Sequence, residues 1–262
     1  MFEKNVHKIL SELKEDDSVL DVGGWFRPFN RANWVVDVMP YGTKGAGGVQ
    51  GPQKEYFTQK TYIQRDLCAR EPLPFPDKTF DFVICSHTLE DVRDPLFLCS
   101  EIIRVGKRGY IETPSLEAEL AFGTEARNYA GYFHHRWLIQ IQKNKLTFIF
   151  KPHFIHGRWK YHFPASYGRR LTEKERVQWL FWENSFNYEE RPRIECSALM
   201  CQIEDFVRVK RAYPPWRYKI ELLREYAKKL RDSVFQSTRR YSPQEELHTS
   251  MDLKEMFTNS DG

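Results

Sequence analysis

Two short apolar runs, one stopping on a glycine pair and the other on a carboxylate, constrain this chain more than any other feature. Val19, Leu20 and Val22 form the first run, which Gly23-Gly24 ends; Trp34-Val35-Val36 form the second, which ends on Asp37. Apolar runs this short suit strands buried on both faces, and a glycine turn between them suits the start of a doubly wound α/β sheet. In such a sheet ligands bind beyond the carboxyl ends of the strands. Glycine lets the backbone approach a ligand there, and an acid can accept hydrogen bonds from a ribose diol.

The rest of the first half repeats the pattern. Val6, Ile9, Leu10 and Leu13 have helical spacing, which predicts an entry helix over 3–14. Tyr62-Ile-Gln-Arg-Asp66-Leu67 reads as a short strand ending on an acid, and Phe80-Asp-Phe-Val-Ile-Cys85 as a central parallel strand. Leu96–Val105 reads as a helix burying Leu96, Cys99, Ile103 and either Leu98 or Ile102, and Tyr110-Ile-Glu-Thr113 as the next strand. Strands alternating with helices at this spacing mean βαβ units. The Gly- and Pro-rich stretch 39–52 reads as either a mobile loop over the ligand edge or a disordered surface insertion, and closure of 42–51 over a ligand stays open.

Further along, Lys145–Phe150 and Phe186–Glu190 read as strands, 163–170 as loop and Glu173–Phe181 as a helix. Residues 194–209 fit either edge strands or a helix.

The wording of the strand ends is more specific than their pattern. Val19-Leu-Asp-Val-Gly-Gly24, Leu73-Pro-Phe-Pro-Asp-Lys-Thr-Phe-Asp-Phe-Val-Ile-Cys-Ser-His-Thr-Leu-Glu90, Asp94-Pro95 and Glu101-Ile-Ile-Arg-Val-Gly-Lys-Arg-Gly-Tyr-Ile-Glu-Thr-Pro114 together resemble the class I S-adenosylmethionine-dependent methyltransferases. The type 11 methyltransferase-domain group is the most similar branch, over roughly residues 15–140. The resemblance implies a Rossmann-like, mainly parallel seven-stranded sheet over residues 1–213. It also implies an acceptor-side insertion or lid at 115–175.

The cofactor it implies is S-adenosylmethionine, leaving as S-adenosylhomocysteine. Asp21, Gly23 and Gly24 would lie under its amino-acid part, Asp37 at the ribose, Asp66 and Leu67 at the adenine, and Ser86 with His87 at the sulfonium end. The chain departs from the family pattern in three places. Trp25-Phe-Arg-Pro28 replaces a third glycine, the interval to Asp37 leaves room only for a stubby helix, and Asp91 stands where a second histidine is common.

Methyl transfer from a sulfonium is an in-line displacement, so positioning supplies most of the acceleration, and a hydroxyl acceptor also benefits from a base. Among eight histidines, His87 follows the central strand and His135 lies in Tyr129-Ala-Gly-Tyr-Phe-His-His-Arg-Trp137. These two and Glu112 are the candidate catalytic groups. Tyr132, His134, Arg136 and Trp137 are candidates for the acceptor site. Were His134 and His135 on a strand, they would point to opposite sides, leaving one for the site. His153, His156 and His162 have no cysteine or carboxylate close by, so no metal ligand is assigned.

Hydrophobic residues at 41% and charged residues at 29% fit a soluble globular protein, and a net charge of +4 is too small to argue for nucleic acid. Ser86-His-Thr-Leu89 also lacks the Pro-Pro-aromatic wording of base-flipping enzymes. No apolar run nears the ~18 residues of a membrane span. A charged N-terminus and cysteines without a C-x-x-C pair point to the cytoplasm.

Residues 214–262 read as a basic amphipathic helix, with Ile220, Leu223, Ala227, Leu230 and Val234 on one face, followed by a polar tail. Such a helix could lie on a membrane, bind nucleic acid, or pack on the core or a partner subunit, and the expectation is the last, with a homo-oligomer as one form of it. The expected acceptor is a hydroxyl or amine of a small molecule or sugar. The rival expectation is a non-catalytic module that binds a partner through the aromatic loop and this helix.

Overall fold

The computed structural model describes residues 1–126, 129–191, 196–210 and 215–238. The chain divides into two compact units, Met1–Ala212 and Tyr213–Gly262.

The first unit is built on a six-stranded sheet. Its strands are β1 (Val19–Val22), β2 (Trp34–Asp37), β3 (Tyr62–Gln64), β4 (Phe82–Ser86), β5 (Arg108–Pro114) and β8 (Val177–Glu183), in the order β3-β2-β1-β4-β5-β8. Five run parallel, and β8 is antiparallel to β5 in the register Tyr110 opposite Phe181. The chain crosses over at β1, so β1 and β4 meet where the strand order reverses, the place where such sheets bind ligands. Six strands stand where seven were expected. The remaining strands, β6 (Trp137–Gln142), β7 (Lys145–Phe150) and β9 (Asn187–Glu190), form a separate sheet in the order β6-β7-β9.

Alternation along the strands sorts the side chains between two cores. Leu20, Val22, Val83, Cys85 and Ile111 face α2 (Pro95–Val105) and the inner face of the small sheet, including Trp137, Ile139, Leu146 and Phe148. Val19, Val35, Phe82, Ile84 and Tyr110 face α1 (Glu3–Glu12) through Val6 and Ile9. These side chains are fully or nearly fully buried, and each contributes about 1.5–3 kcal/mol to folding.

Asp94 caps α2 by accepting from Phe97 N at 2.9 Å, with Pro95 in the first turn. The helix buries Leu98, Cys99, Ile102 and Val105, while Leu96 and Ile103 lie only partly covered. No helix forms in 23–33, where only a stubby one had room, so that face relies on α1, Phe29 and Phe57.

Four short helices, α3 (Leu116–Glu119), α4 (Phe154–Gly157), α5 (Ala165–Arg170) and α6 (Glu173–Arg176), fill the region between β5 and β8. Two expectations are corrected here. Residues 165–170 are helical, not loop. The expected helix 173–181 is one turn and then a strand. A Thr172–Glu175 capping box starts α6, but Val177-Gln-Trp-Leu-Phe-Trp182 pairs with β5, and that pairing overrides the local helical signal.

The open alternative at 194–209 resolves to α7 (Cys196–Lys210), which buries Leu199, Ile203 and Val207 at four-residue spacing. The second unit is α8 (Pro215–Thr238), on which Trp216, Ile220, Leu223, Tyr226 and Leu230 are exposed. Pro214 and the expected polar tail at 239–262 lie outside the described residues. Among the described residues no helix is long and apolar enough to cross a membrane.

Candidate active site

The carboxyl ends of β1 and β2 form one flank of the crevice, and the chain itself occupies most of its polar groups. Gly23 has φ +80°, and a Cβ there would lie 1.9 Å from Thr88 Oγ1; a Cβ on Gly24 would lie 2.3 Å from Asp21 Oδ2. Neither position tolerates a side chain, which is why the run ends on a glycine pair.

Asp21 is buried and accepts from Phe29 N at 2.9 Å. Burial pushes its carboxyl up to about 7, with the Phe29 hydrogen bond opposing. Asp37 accepts from Trp25 N at 3.0 Å on one oxygen and from Met39 N at 2.9 Å on the other. Burial raises its carboxyl too, against those amides. A carboxylate has about four acceptor sites, so Asp37 keeps capacity for a diol.

Asp66 and Leu67 lie beyond β3, which ends at Gln64. Asp66 is exposed and accepts from Cys68 N at 2.7 Å, and Leu67 leans on the main core. The 42–51 loop, expected to be mobile, is bonded to its neighbour: Gly45 N donates to Trp25 O, Gly47 N to Phe26 O and Gln50 N to Pro28 O, each at 2.8–2.9 Å.

The ends of β4 and β5 form the other flank, and here acids and bases alternate. His87, at φ +55° just past Ser86, places Nε2 3.2 Å from Glu112 Oε1 and Nδ1 3.3 Å from Glu90 Oε1. Burial alone would lower its pKa, but the two carboxylates outweigh it and raise the imidazole to about 9. His87 is therefore an imidazolium at neutral pH, which suits it to orienting the two acids and not to taking a proton.

Glu112 is fully buried and also accepts from Phe2 N at 2.8 Å and from the Tyr110 hydroxyl. Burial would raise it, yet His87 and the amino terminus beside it hold it at about 2. Glu90 is 1% exposed, and His87 is the one close partner of its Oε1; Glu90 Oε2 and Asp91 Oδ1 are buried without a hydrogen bond. Burial brings Asp91 up to about 6. Buried carboxylate oxygens without donors are rare, because each costs free energy, so such a cluster marks a place for a cationic or donor ligand.

The loop 129–136 completes the site. Gly131 packs directly on Glu119, where a Cβ would lie 2.3 Å from the Glu119 carbonyl. Arg136 N and Trp137 N both donate to Glu90 O, at 2.8 and 3.2 Å. Between these anchors His134 and His135 each turn Nε2 toward Asp91 Oδ1, at 3.9 Å. Both face one carboxylate because β6 begins only at Trp137, so the alternation of a strand does not govern them.

His135 is buried, its Nδ1 on Glu119, and Lys151 Nζ takes the other Glu119 oxygen at 2.8 Å. Burial would lower the His135 pKa, and Glu119 more than compensates and raises it. Tyr132 stacks on His135 at 4.5 Å, and Arg136 is exposed. Trp137 belongs to the core and donates Nε1 to Val92 O at 2.9 Å, so it supports the loop from beneath.

Glu90, Glu119 and Lys151 are partners that motif reading did not single out. Glu90 stood inside the quoted strand-end wording, whereas Glu119 and Lys151 are 32 residues apart and meet only through β7. His156 accepts from Ala130 N at 3.0 Å, and His162 Nδ1 lies 2.7 Å from Ile155 O. Two open clefts of about 580 and 470 Å³ lie elsewhere, one lined by Asp17, Asp81 and Lys107, the other by Arg70, Asp94 and Phe97.

A mainly parallel sheet with a glycine turn at the β1 end and acids at the strand ends is a Rossmann-like arrangement. Residues 34–111, less than a third of the chain, match the family model described as Methyltransferase domain, type 11. Over that stretch the chain is similar to a methyltransferase domain.

Among solved structures it is similar to the complex between the Haloferax volcanii Trm112 methyltransferase activator and a methyltransferase (19% identity, 44% of this chain and 53% of that one, TM-score 0.32). It is also similar to S-adenosylmethionine-dependent methyltransferases from Mesorhizobium loti (19%, 55% and 63%, 0.32) and Aquifex aeolicus (21%, 41% and 62%, 0.24). The matched part of the chain spans between half and two thirds of these structures' own length. No curated protein matches the chain.

Proposed function

We propose that this protein transfers a methyl group from S-adenosylmethionine to a hydroxyl or amine of a small molecule or sugar. The observation that supports it most is the pair Glu90 and Glu112, both buried beyond β4 and on β5 with the His87 imidazole between them. Their chemistry fits a sulfonium and an ammonium, both cations. The bound cofactor would supply an electrophilic methyl group. Asp37, with acceptor capacity left, would hold its ribose; Asp66 and Leu67 would border the adenine.

In this reading His87 bridges Glu90 and Glu112 and fixes their orientation. His135, aligned by Glu119, is the group nearest the acceptor loop able to exchange a proton at Nε2. Tyr132 and Arg136 would flank an acceptor, with Arg136 favouring one that carries negative charge.

Calorimetric titration of S-adenosylmethionine and S-adenosylhomocysteine into wild type and Asp37→Ala tests the cofactor site. The expected result is micromolar binding, weakened at least tenfold in the variant (about 1.4 kcal/mol). Absence of binding to wild type would end the reading. A second reading, partner binding through α8, draws support from the exposed Trp216, Leu223 and Tyr226 on that helix. Cofactor binding without turnover on any acceptor would favour it.

A further inference from the structure

The polar row holds a second arrangement, in which His135 Nε2 would be a ligand atom and not a proton carrier. Asp91, His134 and His135 each offer one ligand atom, and these atoms lie within 4.8 Å of one another. We propose that these three residues bind a divalent transition-metal ion of the zinc type, an assignment that goes beyond the methyltransferase reading and would replace proton exchange at His135 Nε2.

Three features of the geometry converge on it. First, both imidazoles present Nε2 to the same atom, Asp91 Oδ1, at 3.9 Å, too far for a hydrogen bond and close enough for an ion to sit between. Second, both rings are held from behind by carboxylates. His134 Nδ1 lies 2.9 Å from Glu125 Oε2, and His135 Nδ1 is on Glu119 Oε1. A carboxylate on the far nitrogen is how metal-binding histidines are usually aligned and made more basic. Third, Asp91 Oδ1 is buried with no hydrogen-bond partner, although two imidazoles stand next to it.

The donor set of two imidazoles and one carboxylate suits zinc, cobalt, nickel or ferrous iron more than magnesium or calcium, which prefer oxygen. Metal–ligand bonds of about 2.0–2.1 Å require the three atoms to draw in by about an ångström. His134 allows this, since its side chain is 47% exposed and sits on a loop between two anchors. Lys151 does not compete for the site, because Glu119 Oε2 and the Tyr132 carbonyl hold it. Three protein ligands leave an ion of this kind at least one open position, on the loop to which the acceptor is assigned.

The test uses the full chain stripped of metal by a chelator and titrated with Co²⁺, read by its visible absorption, and with Zn²⁺, read by calorimetry. The expected result is one ion per chain with a dissociation constant in the micromolar range or tighter. His134→Ala and Asp91→Asn should each weaken binding at least tenfold, while the control His153→Ala leaves it unchanged. His134 is exposed, so its variant keeps the fold, which circular dichroism checks. Wild type that takes up no ion at millimolar Co²⁺ or Zn²⁺ would overturn the proposal. So would binding that both variants leave intact.

Discussion

The two flanks of the crevice sit on the same sheet, a strand or two apart, and treat their acids in opposite ways. Along β1 and β2 the chain satisfies its own carboxylates: Asp21 takes Phe29 N, and Asp37 takes Trp25 N and Met39 N. Along β4 and β5 backbone donors are scarce: Glu90 and Glu112 Oε1 have the His87 imidazole at 3.2–3.3 Å, while Glu90 Oε2 and Asp91 Oδ1 are buried without a hydrogen bond. The first flank is a scaffold already closed by short-range backbone contacts. The second stores an electrostatic cost that only a ligand, a proton or an ion relieves, and proteins retain such costs where they act. The buried polar chemistry of this domain is therefore concentrated on the β4–β5 flank.

The sharpest way to break that contrast is to remove the group that organises the second flank. Glu119→Ala strips His135 and Lys151 of their shared buried partner. It should cost about 3–5 kcal/mol, measured by urea denaturation. A loss below about 1 kcal/mol would mean that solvent, and not Glu119, balances those cations.

Neutral replacements compare the flanks directly. Asp37→Asn removes an acceptor from one of two backbone amides and should lower stability by about 1–2 kcal/mol. Glu90→Gln removes a charge whose one close partner is the half-exposed His87 imidazole and should leave stability within about 1 kcal/mol of wild type. Equal losses in the two denaturation curves would erase the distinction.

The smallest effect is a pH dependence. His87 has its folded pKa raised from 6.5 to about 9 by Glu112 and Glu90 against the opposing effect of burial. A raised folded pKa means that the imidazolium stabilises the folded state fully below pH 6.5. That contribution is lost as pH rises from there through about 9. Stability should therefore decline across this window in wild type and stay flatter in His87→Gln, with 41% side-chain exposure keeping the effect modest. An identical slope in both proteins would remove His87 from the account.

Much of the first flank was legible in the chain because its determinants are local. The runs at 19–22, 34–37 and 82–86 are strands for the same reason they read as strands: apolar side chains on both faces. Gly23-Gly24 is a turn because no Cβ fits. The second half was less legible because tertiary contacts decide it. Thr172 and Glu175 do start a helix, but β5 needed an antiparallel neighbour, and the aromatic run 177–183 supplied it.

At the site, His87, Glu112, His134 and His135 were visible as residue types at strand ends and in an aromatic loop. Their partners were not, since Glu119 and Lys151 meet only when β7 returns beside α3. Nor could spacing reveal that both histidines face Asp91. That depends on where β6 begins, which is set by two hydrogen bonds to one carbonyl.

That carbonyl belongs to Glu90, and it accepts from both Arg136 and Trp137. A peptide oxygen is present whatever side chain its residue carries. The address of the 129–136 loop is thus written in the backbone, while the charge it meets there is written in the side chain. Position 90 is free to change its chemistry without moving the loop. A lineage could retune what the crevice accepts one substitution at a time and keep its two halves in alignment throughout.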